Sequence, residues 1–161
     1  MAPTTASRGG GPTLDRFENR VYPAVWFLAA VAAQQLLPSG RPGSAQRALC
    51  LGLTGGAGGL GLWALQAFAE RRTTVDPLNP DRASALVTHG PYRVSRNPMY
   101  TAMGLALAAN AARRASWPAL GPLVAYVATM ARLQIVPEER ALRAHFGDDY
   151  QAWARRTRRW L

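Results

Sequence analysis

The chain has 161 residues, of which 48% are apolar and 17% charged, and its formal net charge is +10. That charge fraction falls below the roughly 25% usual in soluble domains, and every one of the 19 basic residues is arginine. The lone Cys50 excludes an intrachain disulfide and a multi-cysteine metal site, while the charge admits nucleic acid, an anionic lipid surface or an anionic ligand as a partner.

Residues Met1 to Thr13 are small, polar and rich in Gly and Pro, which predicts a mobile tail (1–13) ahead of a single domain (14–161). No apolar core follows the tail directly, so it does not read as a signal peptide. Leu14 to Arg20 carries mixed charge and suits a short interfacial turn. Pro23 to Leu37 is the first apolar run, with Pro23 fit for a first helical turn. Its length, roughly 22 Å at 1.5 Å per residue, is short for a hydrocarbon core of about 30 Å. Extending it back through Val21 and tucking in Gln34 and Gln35 brings it near a span. Pro38 to Ser44 is a breaker between antiparallel helices.

Ala48 to Ala69 is an uncharged run of spanning length. A soluble core helix would show a polar stripe, and this run has only Thr54 and Gln66. Thr73 to Asn97 forms a long connection with breakers at Asp76-Pro77 and Asn79-Pro80. Pro98 to Ala112 is a third, short apolar helix. Ser116-Trp117-Pro118 starts a fourth that runs to Val136, with Trp117 at an interface. Pro137 is expected to break it and to open a charged, amphipathic helix from Glu138 to about Leu161.

The pattern predicts an all-α, integral membrane bundle of about four transmembrane helices, with a cytoplasmic connecting loop and a C-terminal amphipathic helix. Four spans leave only Arg41, Arg47, Arg113 and Arg114 on one side and the other fifteen arginines on the opposite side. The excess puts both termini and the long connection in the cytoplasm, the expected setting being a bacterial cytoplasmic membrane.

Several motifs have a structural reading. Gly56-Ala57-Gly58-Gly59-Leu60-Gly61 matches a dinucleotide fingerprint but lacks the strand such a site needs. Gly52/Gly56 and Gly55/Gly59 read instead as small-xxx-small packing pairs. The run Arg155-Arg156-Thr157-Arg158-Arg159-Trp160 reads as anionic-lipid contact in preference to nucleic acid, since no nucleic-acid motif accompanies it. His89 and His145 have no metal partners at ligand spacing. Glu138 and Glu139 complement a helix dipole, and Glu139 can pair with Arg143. Equally, a carboxylate where a helix leaves the bilayer is a candidate for ligand binding.

The least generic stretch is His89 to Tyr100, H-G-P-Y-R-V-S-R-N-P-M-Y. Arg93 and Arg96 have the fork geometry that suits a carboxylate. Asn97 offers a donor and an acceptor. Pro98 opens a helix whose first amides can receive an anion, and Tyr100 can stack or donate a hydrogen bond. A headgroup anchor would use the same residue types, so the stretch alone supports both readings.

G-P-Y-R-V-S-R-N-P-M-Y, then an apolar helix pair, then P-E-E-R and F-G-D-D-Y, resembles the isoprenylcysteine carboxyl methyltransferase and phospholipid methyltransferase group of integral-membrane enzymes. The likeness covers about Thr73 to Leu161 and makes 73–161 the cofactor-binding part. It implies S-adenosyl-L-methionine as cofactor and His89, Gly90, Tyr92, Arg93, Asn97, Pro98, Tyr100, Glu138 and Glu139 as its binding residues. Arg96, Asn97 and Glu139 are the implied catalytic residues, with no metal. Where the family reads Arg-His-Pro-x-Tyr-x-Gly, this chain reads Arg96-Asn97-Pro98-Met99-Tyr100-Thr101-Ala102. Asparagine cannot titrate near neutral pH, and Ala102 lets a ligand approach less closely than glycine would. The implied activity is methyl transfer to a lipid-like or apolar small-molecule acceptor (a carboxylate, an amine or a thiol) at the cytoplasmic membrane face. The implied partners are the bilayer and that acceptor, not nucleic acid. The alternatives are a non-catalytic membrane scaffold of the same fold that binds anionic lipid, and an arginine-driven binder of anionic surfaces.

Overall fold

The computed structural model describes residues 21–71 and 86–161. The expected N-terminal tail, the turn at Leu14 to Arg20 and most of the long connection lie outside them. The described residues form five α-helices: α1 (Pro23–Leu36), α2 (Ser44–Arg71), α3 (Pro98–Arg113), α4 (Leu120–Thr129) and α5 (Val136–Arg156). A 3-10 turn, Gly90–Arg93, precedes α3, and a π-helical segment, Met130–Ile135, joins α4 to α5. Among the described residues the one β-type pairing is an isolated parallel bridge between Ser95 and Arg158.

α2 lies along α3, while α1 packs on α3 and α4. The α1–α2 and α3–α4 turns meet at one end, where the Gly40 amide donates to the Arg114 carbonyl and the Ser116 hydroxyl to the Pro38 carbonyl. Two helical runs are long and apolar enough to cross a membrane: Ser44–Ala67 and the continuous run Leu120–Arg156. A soluble core helix passes that test too, but it is buried. Only 6% of the apolar window of α2 is buried, and Leu51 and Leu62 point outward. Such an exposed apolar face suits lipid contact. α1 and α3, with 14 and 16 residues, are shorter than a regular span. Trp117 is 83% exposed at the turn before α4, where an interfacial tryptophan was expected.

Two expectations are corrected. Pro137 does not break the chain's course: the helix runs through it. A proline lacks the N–H for an i−4 bond, and its ring crowds the preceding turn. The π segment just ahead of it widens that turn, which accommodates the ring without ending the helix. The glycines of α2 are also only partly used for packing. A Cβ on Gly61 would stand 3.7 Å from Ala102 of α3, and one on Gly56 would stand 4.0 Å from Leu105. Gly52, Gly55, Gly58 and Gly59 have open space beside them. The close approach therefore follows the Gly56 and Gly61 side of the helix, not the Gly52 and Gly55 side. Ala102 is buried against α2, so its departure from the family glycine bears on helix packing.

Two apolar clusters hold the bundle. One joins α1, α3, α4 and the π segment through Ala30, Tyr100, Leu107, Tyr126, Met130 and Ile135. The other joins α2, the 3-10 turn and α5 through Ala64, Ala67, Val87, Tyr92, Tyr150 and Trp153. Within α5, Gly147 takes φ 51° and ψ −121°, a conformation that glycine adopts without a Cβ penalty. The bend lets the second arm of α5 bring Tyr150 and Trp153 onto Tyr92.

Candidate functional site

The candidate site lies where the two clusters meet, at the end opposite the α1–α2 turn. Its first wall is the 3-10 turn and the loop leading into α3. Gly90 has φ +57°, and a Cβ there would come within 3.2 Å of the Trp63 Nε1; glycine allows the turn to press on α2. The Val94 and Ser95 amides both donate to the Pro91 carbonyl at 3.1 Å. The Trp153 indole donates to the Tyr92 carbonyl at 2.9 Å, tying the turn to α5. Burial, followed by the nearby Glu138 charge, pushes the Tyr92 phenol well above its ordinary range, which keeps it neutral. Asn97 stands at the N-cap position of α3 with φ −132° and ψ 55°, and Pro98 takes the first helical position.

The second wall is the first turn of α5. Glu139 accepts a two-pronged hydrogen bond from Arg159, with Nε at 3.0 Å and the terminal nitrogen at 2.7 Å. It also forms an ion pair with Arg96 at 3.3 Å. The Glu139 and Arg96 side chains are 14% and 15% exposed, so this is a part-buried cluster with two cations on one carboxylate. Charge-assisted forks of this kind are the stronger class of hydrogen bond. Arg96 also reaches the Tyr150 hydroxyl at 3.4 Å. Beside the cluster, the Tyr100 hydroxyl donates to Glu138 at 3.1 Å.

The structure thus brings together Arg96, Asn97, Pro98, Tyr100, Glu138 and Glu139 from segments about 40 residues apart in sequence. Other residues of the implied set stand apart. Arg93 is exposed. His89 pairs with Glu70 of α2 at 3.1 Å, away from the arginine cluster. Gly90 and Tyr92 shape the loop. One further expectation is corrected here. Glu139 pairs with Arg96 and Arg159 and not with Arg143, because its carboxylate turns back toward the loop. The Asn97 side-chain amide donates to the Arg159 carbonyl at 2.9 Å.

The residue that sequence reasoning missed is Arg159. It belongs to a basic run read as headgroup contact, yet it turns inward while Arg155, Arg156 and Arg158 stay exposed. Its hydrogen bonds to Glu139 raise its pKa further above an already high value. Nothing in the basic run singles it out in sequence: it is Thr157, extended and buried at the end of α5, that returns the chain toward α3.

A bound amino acid-type cofactor needs a cation for its carboxylate and anions or hydroxyls for its ammonium and sugar. A paired arginine, two carboxylates and tyrosine hydroxyls in one part-buried cluster supply that donor set. Neither a curated protein nor a solved structure matches the chain. The phospholipid methyltransferase family model matches residues 45–149, more than half of the chain, and the match takes in α2, the polar loop, α3, α4 and the paired acids. The chain belongs to the phospholipid methyltransferase family.

Proposed function

We propose that the chain is an S-adenosylmethionine-dependent methyltransferase whose acceptor is lipid-like or apolar, carrying a carboxylate, an amine or a thiol. The site faces the cytoplasm, and four helices, the two short ones included, sit in the membrane. The observation that carries the reading is the family match over residues 45–149, with the matched loop and paired acids meeting in one polar cluster. Arginine asymmetry supports the orientation, and the exposed apolar face of α2 supports entry of the acceptor from the bilayer.

When bound, S-adenosylmethionine supplies a methyl group on a sulfonium, an already activated leaving group. The protein's work is then placement more than acid or base strength. Arg96, oriented by Glu139 and Tyr150, would hold the cofactor carboxylate. Glu138, oriented by Tyr100, receives a cationic group of the cofactor or acceptor. Asn97, Pro98 and the 3-10 turn fix the loop. The apolar residues around Tyr100 and Met130 keep water from the reacting atoms.

Calorimetric titration of the detergent-solubilised protein with S-adenosylmethionine tests the reading. Saturable heat and a raised melting temperature are expected, as a ligand that binds only the folded state stabilises it. Mass spectrometry of lipid extracts should then show an acceptor that gains one methyl group. No heat and no shift in melting temperature would leave the non-catalytic membrane scaffold as the better account.

A further inference from the structure

The C-terminal strap, 157–161, lies beyond the segment that the family model matches. It nonetheless contacts both walls of the candidate site. Arg158 bridges Ser95, and its carbonyl accepts from the Arg96 amide at 2.8 Å. The Arg159 carbonyl accepts from the Asn97 side chain at 2.9 Å. The Arg159 guanidinium forks onto Glu139. Trp160 packs on the apolar cluster that contains Tyr100. The strap thus reaches the backbone of Arg96 and the side chains of Asn97 and Glu139 together.

We propose that Arg159 is a positioning residue of the site, and that the strap it belongs to sets the geometry of both walls. The inference rests on the methyltransferase reading above. The reasoning is local. Arg96 and Glu139 sit on different walls and meet at 3.3 Å, a distance long for a fork. Arg159 makes the shorter bonds to the same carboxylate and so determines where it points. Through its carbonyl it also fixes Asn97, the residue that opens α3. One residue therefore registers the loop and the α5 acids against each other, and Arg96 is left turned toward the ligand at the angle these contacts impose.

The test compares the full-length wild type with Arg159→Ala, Arg159→Lys, Glu139→Gln and the double variant Glu139→Gln/Arg159→Ala. Each is titrated with S-adenosylmethionine, and the exchange of the Arg96 backbone amide is followed without ligand. Arg159→Ala is expected to weaken cofactor affinity about tenfold or more, a loss of about 1.4 kcal/mol. Arg159→Lys keeps the charge but not the fork, and should recover only part of that loss. The double variant should bind no more weakly than Glu139→Gln alone, because Arg159 acts through Glu139. The Arg96 amide should exchange faster in Arg159→Ala than in wild type.

Equal cofactor affinity in wild type and Arg159→Ala would overturn the inference while leaving the methyltransferase reading intact. So would a lower melting temperature in Arg159→Ala with unchanged affinity in its folded fraction, which is the mark of a structural tail. A wild type that binds no S-adenosylmethionine overturns the methyltransferase reading itself, and the positioning role with it. If Arg159→Ala does not fold, Arg159→Lys carries the comparison, and full wild-type affinity there overturns the role of the fork.

Discussion

At the C-terminal end of α3, Asn110, Arg113 and Arg114 meet Gln34 and Gln35 of α1. At its N-terminal end, Asn97 and Arg96 meet Glu139 and Arg159. The first network is closed on itself. Gln34, fully buried, donates to the carbonyls of Leu107 and Ala119 at 3.1 and 2.7 Å and accepts from Asn110 at 2.8 Å. Arg113 forks onto Asn110, and Arg114 reaches the Gln35 side chain and the Leu37 carbonyl at 2.7 and 2.6 Å. No carboxylate takes part there among the described residues. The second network carries two cations on one carboxylate, and a second carboxylate stands beside it on a tyrosine. A guanidinium Nε lacks a partner at both ends, on Arg96 and on Arg114, so an unmatched donor does not distinguish them. Concentrated, opposed charge does. Buried amides fasten helices; part-buried ions hold a geometry that a charged ligand can use.

Substitutions at the two ends should separate these roles. Glu139→Ala should have the largest effect, since it strands two guanidiniums. A loss of about 3 kcal/mol in stability is expected, at the low end for a buried pair because Arg159 retains solvent contact. Cofactor affinity should fall well beyond tenfold, measured by calorimetry beside chemical unfolding in detergent. Gln34→Ala should cost about 2 kcal/mol through its stranded buried partners. Its folded fraction should bind S-adenosylmethionine as wild type does; a parallel loss of affinity would erase the distinction between the ends. Tyr100→Phe should be mildest. Loss of one hydrogen bond is worth about 1 kcal/mol, and the loss should appear in affinity more than in melting temperature.

Much of this was legible in the sequence because it depends on local signals. The apolar runs mark α1 through α4, Pro23 and Pro98 mark helix starts, and the dense polar loop marks one wall of the site. P-E-E-R marks the other wall through its ordered place in the family pattern. What was not legible depends on phase and return. Pro137 reads locally as a breaker, and only tertiary packing shows the widened turn that carries the helix through it. Arg155, Arg156, Arg158 and Arg159 look equivalent in a basic run. Which of them turns inward depends on where α5 ends and on the bend at Gly147, a residue whose positive φ no neighbour announces. The Gly52/Gly56 and Gly55/Gly59 pairs have the packing spacing, yet of these four only Gly56 comes near α3.

The π segment at Met130–Ile135 has a rotational consequence. Replacing i−4 bonds by i−5 bonds adds one residue to a turn, and one residue is worth about 100° of rotation around the helix axis. Everything downstream is therefore dialled by that amount relative to α4: the paired acids, the Gly147 bend and the strap with Arg159. Excising a single residue from this segment would leave every side chain of the site chemically intact and aim the whole set at a different neighbour.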